Sequence, residues 1–349
     1  MSGEQCFISR NYKARFSAAG KAKIDCEETL ETIGFRNLGL PRTTYTSTLP
    51  NFFFTLVGTC LGLLRLKRGS ILVVQYPTKK YYDFIVRVAR RKQCRVITLV
   101  HDLRSHRKQR MDIAREINSL NRNDLIISHN ARMTEWLRTH GLTTRVVDLE
   151  IFDYYCDSRG NDTPPRGEGD PYRLVFAGVL EKRKNGFLYQ LDDLGAKSYL
   201  CNLYGIGFDP ADLPTESLIH YRGVFPADEI VDRIEGDFGI VWDGISVEEC
   251  AGSFGEYLKI NNPHKTSMYL RAGLPVIIWD QAAMATLVTQ RNVGIAVSSL
   301  AQLDRVLENL SEEGYEQMRH NAQAMSQELG AGAFLSAAID SALGKLSQE

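Results

Sequence analysis

Cysteine pairing is the first thing this chain lacks. The seven cysteines, Cys6, Cys26, Cys60, Cys94, Cys156, Cys201 and Cys250, are odd in number and scattered, with no CxxC pair and no zinc spacing with histidine. This excludes a disulfide-stapled secreted scaffold and predicts buried, reduced thiols. Long apolar runs are missing too. The longest, Phe52–Leu64 (FFFTLVGTCLGLL), has 13 residues, short of the roughly 20 that span a bilayer, and is expected to be a buried amphipathic helix of the first domain, with a membrane-dipping segment as the alternative. The opening MSGEQCFISR has no apolar segment behind a basic start, so no secretory signal is expected and the location is read as cytoplasmic. Net charge is absent, since 42 Lys+Arg oppose 42 Asp+Glu; nothing in that balance points to nucleic acid.

Nucleotide and metal motifs are missing as well. Gly205-Ile206-Gly207 follows a predicted strand but runs into FDPADLP, not into a helix carrying a third glycine, which argues against a nicotinamide oxidoreductase. There is no GxxxxGK[ST], no DxD in a loop after a strand, and no His/Asp/Glu cluster with divalent-ligand spacing. A P-loop nucleotidase is excluded, and no cofactor or metal is expected.

What is present begins with length. A chain of 349 residues exceeds one ordinary core and predicts two domains. The neutral total hides a split: residues 1–165 hold 27 Lys/Arg against 16 Asp/Glu, and residues 166–349 hold 15 against 26. From Ser70 to Asp148, strands at Ile71–Tyr76, Arg95–Val100, Asp124–Ser128 and Arg145–Leu149 alternate with helices at Tyr81–Lys92, about Arg107–Leu120 and Ala131–His140. Repeated β-α units need a parallel sheet with helices on its faces. The stretch DSRGNDTPPRGEGD, rich in Gly, Pro and charge, reads as a linker. Beyond it strands recur at Arg173–Phe176, Leu200–Tyr204, Ile219–Tyr221, Phe238–Trp242, Val276–Trp279 and Gly294–Val297, with helices at about Ala227–Glu235, His264–Ala272, Ala282–Gln290 and Leu300–Leu310. The fold class is α/β, two Rossmann-like domains facing a cleft. The domains are 1–156, a linker at 157–170, a second domain at 171–330, and a closing helix at 331–349 that is free to cross back to the first.

Open α/β sheets bind ligands beyond the carboxyl ends of their strands. The richest such stretch is Asp237–Trp279, where a strand ends in Asp243-Gly244, a polar loop of about twenty residues follows, and Asn261-Asn262-Pro263 introduces a helix that stops at Gly273. Asn, Pro and Gly there are ordinary helix punctuation. Lys265 is not, because a cation in the first turn opposes the helix dipole. An anion sharing the site would explain it, and a diphosphate held by Asn262, His264, Lys265, Thr266 and Ser267 is the expectation.

The segment PHKTSMYLRAGLPVI resembles the P-x-K-x₂-E/x-Y-L-A-A-G-x-P-V-I signature of GT-B glycosyltransferases. More narrowly, GSFGEYLKINNPHKTSMYLRAGLPVIIW, GSILVVQYPTKKYYD, VITLVHDL and KAKIDCEETLETIGFRNLGL are similar to one bacterial group. That group holds β-1,6-galactofuranosyltransferases of O-antigen assembly and the glucosyltransferase that extends GlcNAc on serine-rich adhesins. The likeness runs, with gaps, from about Lys21 to Val297. It departs from the wider signature at Met268, where many GT-B enzymes carry a ribose-binding glutamate; Asp243 or the Glu248–Glu256 loop are the substitutes considered.

The resemblance implies transfer of a hexosyl group, galactofuranose or glucose, from a UDP-sugar to a glycan acceptor, with inversion and without a metal. The second domain would hold the donor. Gly178 would let backbone approach it, Lys182 and Arg222 would meet the diphosphate, and Tyr204 would lie near the nucleotide. A buried strand tyrosine and a solvated lysine turn are the structural alternatives for Tyr204 and Lys182. In the first domain His101-Asp102 and Gln75-Tyr76 end adjacent strands; Asp102 is the candidate base, with His101 orienting it or touching the donor sugar, and a loop-capping Asp is the alternative. The segment Ser17–Asp25, with Gly20, Lys21 and Lys23, resembles the family's flexible loop facing donor phosphates or acceptor. A basic first domain suits a lipid-linked anionic acceptor and an anionic membrane surface at Arg65-Leu66-Lys67-Arg68, Arg90-Arg91-Lys92 and Arg107-Lys108, so peripheral attachment to the inner face of the membrane is expected. A homo-oligomer is compatible with all of this. A non-catalytic GT-B-like module that partners another transferase is the competing reading.

Overall fold

The computed structural model describes residues 3–12, 18–44, 47–78, 81–108, 112–157, 164, 166–167, 169–209, 211 and 217–348. The expected linker 157–170 lies partly outside them, at 158–163, 165 and 168. The chain divides into two compact units, Met1–Asp153 with Gly332–Glu349, and Tyr154–Ala331.

The first unit runs β1 (Gln5–Phe7), α1 (Ala18–Thr32), β2 (Arg36–Asn37), α2 (Thr48–Arg65), β3 (Ile71–Tyr76), α3 (Tyr82–Arg91), β4 (Arg95–Val100), α4 (Arg104–Lys108), α5 (Ile113–Leu120), β5 (Leu125–Ser128), α6 (Ala131–Thr139) and β6 (Arg145–Asp148). Its six strands are all parallel, in the order β2-β1-β3-β4-β5-β6. Strands covered on both faces read as unbroken apolar runs, which is why ILVVQY and RVITLV are legible as β3 and β4. Alternation then assigns faces. Ile97 and Leu99 pack with Cys26 and Leu30 of α1, whereas the intervening Thr98 meets the hydroxyl of Tyr82 on α3 at 3.0 Å. Side-chain caps start two helices: Asp112 accepts from the Arg115 N–H and Asn130 from that of Met133.

The second unit runs β7 (Tyr172–Val179), α7 (Lys182–Asn185), β8 (Tyr199–Ile206), β9 (Ile219–Gly223), α8 (Ile230–Arg233), β10 (Phe238–Val241), α9 (Gly252–Leu258), α10 (His264–Arg271), β11 (Val276–Trp279), α11 (Ala285–Gln290), β12 (Gly294–Val297), α12 (Leu303–Glu308) and α13 (Glu312–Gly330). Its parallel strand order is β12-β11-β10-β7-β8-β9. Gly239 on β10 lets α10 lie close, since a Cβ there would stand 2.2 Å from the Tyr269 ring; the Tyr269 hydroxyl accepts from the Ala177 N–H of β7 at 2.8 Å. The last helix, α14 (Ala333–Ser347), belongs to the first unit. Its Leu335, Ala338, Ile339, Ala342 and Leu346 join Phe7, Leu30, Val73, Ile97 and Ile127 in one core.

Five expectations are corrected. Phe52–Leu64 is helical but not wholly buried: Phe52, Phe53, Val57 and Leu64 are 47%, 58%, 47% and 77% exposed, while Gly58, Thr59, Gly62 and Leu63 are buried. Five cysteines are buried, but Cys60 is exposed on this same helix and Cys156 is half-buried; all seven are free. Residues 18–25 are not a loop but the start of α1, supported by the i,i+4 pair Lys21–Asp25, while Ser17 lies outside the described residues. The polar stretch after Trp242 contains α9, and the charged helix expected over 107–120 is two helices, with 109–111 outside the description.

Candidate functional site

Strand order reverses between β1 and β3 in one sheet and between β7 and β10 in the other, and such switch points open a crevice at the carboxyl ends of the strands. In the second unit that position collects Gly178, the next-to-last residue of β7, with φ +151° and open space where a Cβ would be, and Asp243, just beyond β10. Lys265, in the first turn of α10, reaches Asp243 Oδ1 at 3.0 Å and the Trp242 carbonyl at 3.1 Å, and lies 4.4 Å from the centroid of the Phe176 ring. Lys184 reaches the same Asp243 oxygen at 3.8 Å. Asp243 therefore explains how a lysine is tolerated at a helix start. Around them Asn262, Thr266 and Ser267 are buried, and His264 stacks on Tyr154 with ring centroids 4.9 Å apart. Among the described residues the buried Thr266 hydroxyl finds no hydrogen-bond partner.

Three predicted donor residues are placed elsewhere. Tyr204 is a core side chain whose hydroxyl accepts from the Glu235 N–H at 2.9 Å. Arg222 lies on the edge strand β9, its Nε donating to Asn202 at 3.0 Å, three strands from β10 and so on the order of 15 Å away. Lys182 is exposed, its ammonium 4.7 Å from the Tyr189 ring centroid; Lys184 is the member of that lysine turn beside Asp243. Glu248 of the alternative loop accepts from Ser299, and Glu256 pairs with Lys259.

In the first unit, the carboxyl ends of β3 and β4 bring Gln75 and His101 together: His101 Nε2 and Gln75 Oε1 are 2.6 Å apart. Gln75 Nε2 donates to the Tyr12 hydroxyl and to the Lys23 carbonyl, each at 3.2 Å. Tyr12 in turn donates to Glu27 of α1, whose other oxygen accepts from Ser9 at 2.6 Å. Burial pushes the Glu27 carboxyl up to about 7, although the Ser9 and Tyr12 hydrogen bonds and the Arg42 and Arg10 charges pull the other way. The His101 ring stacks on Phe152, centroids 5.2 Å apart and planes 12° from parallel. His129 meets the same Phe152 edge-on, and burial holds its imidazole down at about 3.

Asp102 follows His101 in the turn before α4 and is half-buried. That turn is pinned by buried Glu116 of α5, which accepts from the Arg104 and Ser105 N–H groups at 2.8 Å. Tyr76 is an anchor there: its buried hydroxyl donates to Glu116. Gly20 and Lys21 lie in α1, and Lys21 is buried against Asp25. Sequence reasoning missed Tyr12, Glu27, His129, Phe152 and the prominence of Lys184. Only Glu27 left a signal, a carboxylate beside Cys26 and three residues before Leu30 on the apolar face of a helix.

Two doubly wound parallel sheets, each gathering polar side chains where its strand order reverses, define a GT-B glycosyltransferase architecture. The chain belongs to the glucosyltransferase 3-like family: the model of that family's N-terminal domain matches residues 5–151, and that of its C-terminal domain residues 174–342. It is similar to the β-1,6-galactofuranosyltransferase WbbI of Escherichia coli (strain K12), 32% identical over 276 residues that cover 78% of each chain. Glucosyltransferase 3 of Streptococcus gordonii is 25% identical over 272 residues, 76% of this chain and 77% of that one. Among solved structures, sucrose-phosphate synthase of Thermosynechococcus elongatus shares the fold, with a TM-score of 0.61 at 12% identity over 99% of this chain and 100% of that one. The chain is a glycosyltransferase, and the non-catalytic module is set aside. Among the described residues no helix is long and apolar enough to cross a membrane.

Proposed function

We propose that the protein transfers galactofuranose or glucose from a UDP-sugar to a lipid-linked glycan acceptor, with inversion and without a metal. The names of the two relatives supply the two candidate hexoses. The observation that carries the donor reading is the Lys184–Asp243–Lys265 cluster, two ammonium groups gathered on one carboxylate beside a helix start at the switch point of the second sheet. A leaving diphosphate is stabilised by fixed cations and N–H dipoles aimed at the charge it develops. Calorimetry with UDP is the direct test. Lys265→Ala is expected to weaken UDP binding about ten- to a hundredfold, the worth of one charge-assisted hydrogen bond; unchanged affinity would refute the assignment. Release of UDP from a panel of donors names the sugar, the anomeric configuration of the product decides inversion, and activity is expected to survive EDTA.

The acceptor side is proposed to dock on an anionic bilayer through α2. The described face of that helix exposes Phe52, Phe53, Val57 and Leu64, its sequence contains no acidic residue, and Arg65, Lys67 and Arg68 follow. Lys92, next to the exposed Arg90 and Arg91 of α3, ties the two helices by donating to the Leu63 and Leu66 carbonyls at 2.7 Å. An apolar stripe with basic flanks is the pattern of an interfacial helix. Flotation with anionic vesicles is expected for the wild type and lost in Phe53→Ser/Leu64→Ser; indifference to lipid charge and salt would remove the proposal, as would a self-associated species that the double variant dissolves.

A further inference from the structure

We propose that a groove between α3 and α5 of the first unit binds a phosphate ester, held by the guanidinium groups of Arg87, Arg115 and Arg122. The groove lies wholly within one unit and uses no residue of the donor cluster, so it stands independently of the transfer reaction.

The groove follows from the path of the chain. The crossovers β3-α3-β4 and β4-α5-β5 step across the sheet in the same direction with the same hand, which lays α3 and α5 side by side on one face. Buried polar contacts fix their spacing. The Asn123 amide, just beyond α5, donates to the Tyr82 hydroxyl of α3 at 2.7 Å, and that hydroxyl meets Thr98 of β4 at 3.0 Å. Between the two helices is a cavity of about 440 Å³, lined by Asp83 and Arg87 of α3 and by Asp112, Arg115, Asn118 and Arg122 at and around α5. Asp83 and Arg87 are spaced i,i+4 and Arg115 and Asn118 i,i+3, so each pair shares one helix face. A volume of this size suits a small molecule.

The hydrogen-bond account of the groove leaves a surplus of donors. Asp112 is occupied as a cap, its Oδ2 accepting from the Arg115 backbone N–H at 3.1 Å. Asp83 Oδ1 is buried without a hydrogen-bond partner and stands 3.7 Å from Arg122 Nη1, close enough for charge attraction but too far for a hydrogen bond. Among the described residues the guanidinium groups of Arg87 and Arg115 have no partner, and that of Arg122 makes no hydrogen bond. Arg90, on the same helix as Arg87, does find one, the Arg122 carbonyl at 2.6 Å. A guanidinium offers parallel N–H groups that match two oxygens of a phosphate, and three such forks around one cavity fit a tetrahedral anion. A cation would be repelled by all three, and a neutral ligand would leave them without a counter-charge. Phe84, one helical turn before Arg87, and Ile113, next to Asp112, are exposed apolar side chains, which favours an ester with an organic portion over bare phosphate. The ester can come from solution or from the head group of a phospholipid.

Glycerol 3-phosphate is the probe, and nitrogen-15 NMR of the arginine side chains in the full chain is the readout. The Nε–H resonances of Arg87 and Arg115, assigned by their loss in Arg87→Gln and Arg115→Gln, are expected to shift and saturate; no saturable shift overturns the proposal. Each single variant, with folding confirmed by thermal melting, is expected to weaken the probe about tenfold, the worth of one charge-assisted hydrogen bond. Arg91→Gln, an exposed arginine one turn beyond Arg87 and outside the groove lining, is expected to change affinity less than twofold. An equal loss there would mean diffuse surface charge and would overturn the assignment. Asp83→Asn is expected to tighten binding by releasing Arg122, and weaker binding would also overturn it. Flotation with phosphatidylcholine vesicles containing phosphatidylglycerol then names the source. Reduced flotation of Arg87→Gln/Arg115→Gln assigns a lipid head group, and unchanged flotation a soluble ester; either upholds the site. A wild type that does not float removes the docking of α2 while the result with glycerol 3-phosphate still decides the groove.

Discussion

Asp153 shows how one residue serves a place the chain returns to only at its end. Its carboxylate accepts from the Phe334 and Leu335 N–H groups at 3.2 and 2.8 Å, capping α14 from 181 residues upstream. Burial pushes its pKa up to about 7 in spite of these bonds. The sign follows from linkage: the unfolded carboxyl titrates near about 4, so between about pH 4 and 7 the folded state holds more protons and loses stability as pH rises. Asp153→Asn has no such dependence. Its stability relative to wild type is expected to improve steadily from pH 4 to 7 and then level off, as read by urea denaturation at each pH. A constant difference across that range would show that Asp153 does not titrate as burial dictates.

At the scale of elements, α10 carries the donor-side residues only because β10 lets it come close. Gly239 provides that approach, and Arg271 secures the far end of α10 by donating to Ser326 of α13 and to the Cys156 carbonyl at 3.0 Å. Gly239→Ala must push the Tyr269 ring away and break its bond to the Ala177 N–H. Overpacking of this kind costs about 1–3 kcal/mol, so a lower melting temperature with weaker UDP binding is expected. A variant with the wild-type melting temperature would mean that α10 shifts freely. The helix was legible from Asn262, Pro263 and Gly273, and β11 from VIIW. The start of α1 was not, because a family loop was expected where Ala18, Ala19 and the Lys21–Asp25 pair favour helix.

On the scale of the whole molecule, the charge split follows two units, but the chain does not divide in sequence order. Residues 332–349 complete the first unit, and Phe334, Leu335, Ile339 and Leu346 are buried. Four large apolar side chains, each worth about 1.5–3 kcal/mol when buried, approach the whole stability of a typical domain, about 5–15 kcal/mol. A chain ending at Ala331 is therefore expected to lose the cooperative unfolding of its first unit and to be cleaved there by protease at concentrations the full chain resists. Equal resistance would show that α14 is dispensable.

The sequence by itself determined the α/β class, the two parallel sheets, most strand positions and the family, because buried parallel strands are continuous apolar runs and the family's motifs are contiguous in the chain. It also singled out His101, Gln75 and Lys265. Tertiary structure alone decided what those residues meet: Asp243 and Lys184 around Lys265, and Tyr12, Lys23 and Glu27 behind Gln75. It also moved Tyr204 into the core and Arg222 to a sheet edge, and turned one side of the apolar α2 outward. Hydrogen bonds and charges act over a few ångströms, whereas the partners of Gln75 lie 26 to 63 residues away in the chain. No local pattern encodes distances of that kind; they exist only once the sheet has brought the ends of its strands together.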